Sequence, residues 1–172
     1  SHSAGNAVFV RDLMAQGYTG REIRFFLMST NYRRPLKYSA DAMAAAATSL
    51  RCLTALHGRL LAVDKPGQCD AADAALVDMK LAFTEKLYDD LNIAGALAEL
   101  FTYTRRVNRL LDDNCFGTGD AARALEVLRE LNQLLGTGCA DTVEHSEAID
   151  KLVAEREQAR KEERWDDADH LR

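Results

Sequence analysis

The stretch SADAMAAAATSLRCLTALHGRLLA, Ser39 to Ala62, contains no proline, and its apolar residues Met43, Ala46, Leu50, Leu53 and Leu60 recur at three- and four-residue steps. That recurrence is the period of one helix face. Ser39 stands where a side-chain oxygen can accept from the free N–H groups of a first turn. The spacing predicts one long helix from Ser39 to about Ala62. Its narrow, alanine-rich seam suits close packing against a second helix.

Downstream the same period continues. Asp64-Lys-Pro-Gly67 reads as a turn, and a helix follows from about Asp70 to Leu87. Tyr88-Asp-Asp-Leu-Asn92 ends it, and either Asn92 or Asp90 can cap the next helix, roughly residues 93–112. On that helix Leu97, Leu100, Phe101, Val107 and Leu111 face a core, while Arg105, Arg106 and Arg109 lie largely on other faces, open to RNA or to salt bridges. A loop from Asp113 leads to a helix from about Asp120 to Leu135 that closes at Gly136 and Gly138. Ser146 opens another carrying Ile149, Leu152 and Val153, and Trp165 starts a last helical piece.

Upstream, Val8–Ala15 is a short helical segment stopped by Gly17, and Thr19-Gly-Arg-Glu22 fits a capping box opening a helix from Gly20 to Ser29. Ile23, Phe26 and Leu27 make its apolar stripe, with Arg21 and Arg24 together on another face. Pro35 disfavours helical geometry at Arg34, so the chain turns there. With two prolines and no sustained period-2 alternation, the expected class is all-α: an antiparallel helix bundle over residues 39–163, preceded by short basic helices over 1–38 and followed by the start of a further helix over 164–172.

A chain of 172 residues is long enough for one self-sufficient core. It holds no apolar run near the roughly 20 residues of a membrane span and no charged-then-apolar leader, so no membrane partner and a cytoplasmic location are expected. Cys52, Cys69, Cys115 and Cys139 are scattered, forming neither CxxC nor a Cys/His cluster. They read as reduced thiols, with Cys52 in the core, and no metal site is expected. His57 lies beside the leucine stripe without a partner at ligand spacing, and Asp89 and Asp90, adjacent at a helix junction, read as capping residues rather than paired acids. Charge is unevenly placed: the net is -5, but residues 1–40 carry +4, leaving -9 elsewhere. An anionic ligand is therefore steered to the N-terminal quarter. The residues that could meet it are Arg11, Arg21, Arg24, Tyr32, Arg33, Arg34 and Lys37. The alternative for the Tyr32–Lys37 cations is a helix C-terminus whose dipole they complement.

Gly5-Asn6, the Gly17-Tyr18 turn, the segment Ser29-Thr-Asn-Tyr-Arg-Arg-Pro-Leu36, the junction Tyr88–Asn92 and the run RRVNRL at 105–110 together resemble the cysteinyl-tRNA synthetases, class I aminoacyl-tRNA synthetases, in the region after their KMSKS-like loop. Ile149 to Arg172 is similar to that family's arginine-rich C-terminal helix pair. The resemblance implies an anticodon-binding-domain-like bundle that binds cysteine-accepting tRNA along its inner corner and stem, and no DNA. Catalysis, with ATP, Mg2+ and a cysteine-selecting Zn2+ site, is implied for a catalytic domain N-terminal to this segment, which would itself be the chain's partner. No cofactor or catalytic residue is then expected in this chain. The residues end before the small module that reads the anticodon in fuller relatives, so the resemblance implies little anticodon readout. If Ser1-His2-Ser3 is native and aligns with the second half of KMSKS, His2 and Ser3 are a remnant of the ATP loop with histidine in place of a phosphate-stabilising lysine; otherwise these residues are left from a tag.

Two other readings share this fold. A relative of the synthetases joins cysteine to an amino-sugar inositol in mycothiol synthesis and needs no tRNA, hence no basic surface over Arg21–Lys37. A helical interaction module without a ligase role is the third.

Overall fold

The computed structural model describes residues 8–138, all of which lie before the point, after residue 140, where the chain divides. His2, Ser3, Cys139, the helix expected from Ser146 and the piece begun by Trp165 lie outside the described residues. Within them six helices and no strand occur: α1 (Val10–Ala15), α2 (Gly20–Met28), α3 (Ala40–Leu61), α4 (Asp70–Tyr88), α5 (Ile93–Asp112) and α6 (Thr118–Leu135).

The helix ends follow local chemistry. Thr19 and Glu22 form the expected capping box, the Thr19 N–H donating to Glu22 Oε2 at 2.8 Å and the Glu22 N–H to Thr19 Oγ1 at 3.3 Å. Ser39 Oγ accepts from the Ala42 N–H at 3.1 Å, and Asn92 Oδ1 from the Gly95 N–H at 2.9 Å, so Asn92 rather than Asp90 caps α5. α6 starts at Thr118, two residues ahead of expectation, and ends on Gly136, whose φ of 62° is the left-handed stop that glycine accepts.

Burial confirms the leucine seam of α3: Met43, Ala46, Leu50, Leu53 and Leu60 are buried, joined by Leu56. Two expectations need correction. On α2 it is Phe25, not Leu27, that turns inward beside Ile23 and Phe26; Phe25 meets Phe101 edge-on with ring centroids 6.2 Å apart, and Leu27 is 51% exposed. Cys52 is exposed, because it sits one position before the buried row at Leu53 and its side chain leaves the seam. Leu13, Ile23, Phe25 and Phe26 belong to the same continuous core as α3–α6, so α1 and α2 pack on the bundle.

The bundle has an unusual ring order. α3 packs on α6 and α5, and α4 packs on α5 and α6, whereas the sequence neighbours α3 and α4 share no comparable contact. α3 therefore lies diagonally from α4, and α5 from α6. The connections at 62–69 and 113–117 both cross the same end of the bundle and meet there: the Thr118 N–H donates to Lys65 O at 2.9 Å, the Gly119 N–H to Gly67 O at 3.2 Å, and Lys65 Nζ to Asn114 O at 3.1 Å. A β-carbon on Gly117 would lie 2.2 Å from Gly67 O, so only glycine lets the two backbones pass. Buried Asp120 ties the crossing together, accepting from the Gly117 N–H at 3.0 Å, the Cys69 N–H at 3.3 Å and Arg123 Nη2 at 2.8 Å. Arg123 Nη2 also reaches Asp73 at 3.0 Å. At the opposite end lie the start of α3, the α4–α5 turn and the end of α6.

Candidate nucleic-acid interface

Apart from Arg11, the basic residues of the N-terminal quarter gather at that opposite end, in two clusters. On α2, one turn apart, Arg21 and Arg24 both turn toward the end of α6. Arg24 Nε donates to Leu135 O at 2.9 Å and its guanidinium lies against Gly136, where a β-carbon would come within 2.8 Å. Arg21 Nη1 donates to Gly138 O at 3.4 Å. Arg24 thereby satisfies a carbonyl that the α6 C-terminus leaves without a partner, Arg21 binds the chain just beyond it, and both cations complement the negative dipole end. Each glycine is left-handed, with φ of 62° and 66°, and each leaves the space that its arginine fills.

The second cluster is built by the loop after α2. Ser29 Oγ donates to Phe26 O at 2.7 Å, closing the helix. Asn31 then shapes a tight turn, its Oδ1 accepting from the Arg33 N–H at 2.8 Å and its carbonyl from the Arg34 N–H at 2.9 Å. Tyr38 lies edge-on against Phe26, with centroids 6.2 Å apart, and returns the chain to α3. The turn carries Tyr32 and Arg33 to Asp90 in the α4–α5 turn. Arg33 grips both carboxylate oxygens, Nε on Oδ2 and Nη2 on Oδ1 at 2.8 Å, and Tyr32 Oη donates to Oδ1 at 2.7 Å. The Arg33 guanidinium also lies 5.3 Å from the Tyr32 ring centroid. The Arg33 hydrogen bond, with that of Tyr32 behind it, holds the Asp90 carboxyl below its usual range. Asp90 in turn raises both Arg33 and the Tyr32 hydroxyl. Asp90 and Leu91 both take left-handed backbone, φ 53° and 51°, which reverses the chain between α4 and the cap at Asn92. Aspartate tolerates that region; leucine does so at a cost of roughly 1–2 kcal/mol.

Arg34 and Lys37 are exposed on the same loop and, among the described residues, make no ion pair. Tyr32 is 61% exposed, and the ring face away from the Arg33 guanidinium is open to solvent. Arg11 stands apart on α1, 3.7 Å from Asp12 and above the Phe9 ring at 4.8 Å. Arg106 pairs with Asp78 at 2.8 Å, Arg105 donates to Thr102 at 2.9 Å, and His57 is half-buried. Among the described residues no group of three or more His, Cys, Asp or Glu could hold a metal ion, and no helix is long and apolar enough to cross a membrane.

Two features of this end of the bundle escape a reading of the sequence: the contacts of Arg21 and Arg24 at the end of α6, and the pairing of Asp90 with Tyr32 and Arg33. Each joins segments far apart in the chain, and neither leaves a local signature. What the arrangement offers chemically is an anion-holding loop, with Arg34 and Lys37 open, Arg33 clasped, and an aromatic face beside them.

Residues 82–137 match the DALR domain family, a span that runs from the end of α4 through α5 and α6 to the glycine stop and includes Asp90. Over its whole length the chain is 35% identical to cysteine–tRNA ligase of Chlamydia pneumoniae, covering 37% of that protein. It is 32% identical to cysteine–tRNA ligase of Protochlamydia amoebophila and 34% to that of Chlamydia muridarum, again over its whole length and covering 36% and 38% of them. The chain thus spans little more than a third of the length of the curated relatives it matches. Residues 82–137 are thus similar to a DALR domain, and the chain as a whole is similar to just over a third of these cysteine–tRNA ligases.

Proposed function

We propose that this chain is the tRNA-binding helical part of a cysteine–tRNA ligase, positioning cysteine-accepting tRNA for ATP-dependent cysteinylation by a catalytic domain outside these residues. The observation that carries the reading is the exposed loop Tyr32–Lys37, anchored to the α4–α5 turn by Arg33 and Asp90 in a chain similar throughout to those ligases. In the free chain that anchor keeps the loop in one arrangement, with Arg34 and Lys37 exposed where RNA first arrives. Arg34 and Lys37 meet backbone phosphates, and Tyr32 offers its ring to an unstacked base or a sugar edge. Such contacts set where the RNA lies and carry little sequence information. Arg21 and Arg24 contribute by fixing α2 and, through it, the start of the loop; Arg11 adds positive charge along α1.

ATP, Mg2+ and Zn2+ belong, in this reading, to the catalytic domain, which is also the chain's protein partner; the setting is the cytoplasm, and DNA is not a ligand. The names of the relatives favour tRNA over the amino sugar as acceptor.

The test is a titration of the chain with cysteine tRNA across a salt series, beside an Arg34→Ala/Lys37→Ala double variant. With about three or four phosphates engaged, log affinity falls against log salt with a slope near -2 to -4, and the variant flattens it by up to about 2. Neither side chain has an ion pair among the described residues, so thermal unfolding of the variant matches the parent. Equal affinity and slope for both proteins would refute the loop as the RNA contact.

A further inference from the structure

Asp90 Oδ1 and Oδ2 receive three donors, Arg33 Nε, Arg33 Nη2 and Tyr32 Oη. A guanidinium fork plus a hydroxyl on one pair of oxygens is the arrangement by which proteins hold a phosphate group. The carboxylate comes from a different element, 57 residues away, and is presented by a backbone kink with φ of 53° rather than by a helix face. Both partners are open to water, the Arg33 side chain being 66% exposed and that of Asp90 50%. An ion pair so exposed is weak and exchanges readily. Its neighbours Arg34 and Lys37 have no such acid on them among the described residues.

We propose that Asp90 is a built-in phosphate surrogate, occupying the Tyr32–Arg33 clamp until a phosphodiester of bound RNA displaces it. This rests on the RNA-binding reading and adds a selectivity to it. A lone phosphate gains little at Arg33, since it must first eject a carboxylate already making the same bonds. An RNA held at the same time by Arg34 and Lys37 faces that competition at high local concentration and wins it. The acid thereby discriminates against small anions and single-point contacts while leaving the full ligand able to engage.

The experiment compares the whole chain, its Asp90→Asn variant and its Arg33→Ala variant in titrations with a cysteine tRNA transcript over a salt series, with circular dichroism as the check on folding. Asparagine tolerates the left-handed backbone as aspartate does, so the turn is retained. The expected result is about two- to fivefold tighter binding by Asp90→Asn, with a salt slope steeper by about 1, because Arg33 then meets its phosphate without an internal competitor. A second arm adds inorganic phosphate as competitor, which should inhibit RNA binding by Asp90→Asn at lower concentration than it inhibits the parent. Unchanged affinity and slope in Asp90→Asn, with Arg33→Ala still weakened, would overturn the surrogate while leaving RNA binding intact. Weaker binding by a fully helical Asp90→Asn would make Asp90 a support for Arg33 and overturn the proposal by sign. No binding by any of the three at low salt would overturn the RNA reading and this inference with it.

Discussion

Arg24 lies at the middle of α2, yet the carbonyl it binds is 111 residues further on. A charged donor on a half-buried carbonyl contributes on the order of 1–2 kcal/mol, with the dipole effect of the helix end included. Arg24→Ala is therefore expected to lower the free energy of unfolding by about that amount in urea titrations, whereas the Arg34→Ala/Lys37→Ala pair leaves it unchanged. The two outcomes separate the cations that hold the fold from those available to a ligand. Buried Tyr103 supplies a test of another kind. Burial, and then the nearby Asp120 charge, pushes its hydroxyl above the ordinary value near 10, so the folded protein keeps its proton where the unfolded chain has lost it. The stability tied to that proton is intact below pH about 10 and declines as pH rises beyond, by at most about 1.4 kcal/mol per pH unit. Tyr103→Phe should flatten this alkaline decline in thermal melts recorded from pH 8 to 11. Residue roles of this sort were legible in the sequence only where the partner is near in the chain. Thr19 with Glu22 and Ser39 with Ala42 are three residues apart and could be read directly, while Asn92 with Gly95, at the same spacing, is one of two caps the sequence allows. The partners of Arg24 and Arg33 depend on how α6 and the α4–α5 turn come to lie beside α2, which no local pattern encodes.

Among the elements, helix existence and most boundaries follow from period and caps, as the agreement at α3, α4 and α5 illustrates. The failure on α2 is instructive. A helix of nine residues offers few repeats from which to fix the orientation of its stripe, and Phe25 and Leu27 flank Phe26 almost symmetrically. Phe101 settles the matter by offering a ring edge to Phe25. Loops were less legible still. The residues at 113–117 read as a polar connection, with nothing to say that Gly117 passes against Gly67. Gly117→Ala tests that passage: a β-carbon placed 2.2 Å from a backbone oxygen cannot be relieved by a side chain turning aside, and both crossing connections must shift. The expected loss is about 2–4 kcal/mol, on the scale of a buried overpacking compounded by broken backbone hydrogen bonds, seen as a lower urea midpoint with retained helical signal at low denaturant. A variant as stable as the parent would show that the crossing is loose.

For the described part as a whole, the distribution of charge and the topology converge. The basic N-terminal quarter is placed where the bundle's tidy α4–α5 turn and its glycine stop emerge, away from the end where the two long connections cross. The all-helical class and the N-terminal bias of the positive charge could be read from residue order alone; the division of that charge into a clasped set, a helix-ending set and an open set could not, because it depends on acids and carbonyls supplied by α4, α5 and α6. The salt dependence of RNA binding is the measurement at this scale, since it reports the number of cations free to meet phosphate rather than the number present. The diagonal connections carry a kinetic consequence. In an up-and-down bundle each hairpin can zip from its own turn; here α3 is covered first by α2, the helix before it, but its packing on α6 waits for a segment made more than fifty residues later. Closure of the described bundle therefore depends on distant chain segments finding one another, which slows it relative to a bundle of equal length with neighbouring hairpins, and leaves the side of α3 that meets α6 uncovered on the ribosome until α6 has emerged.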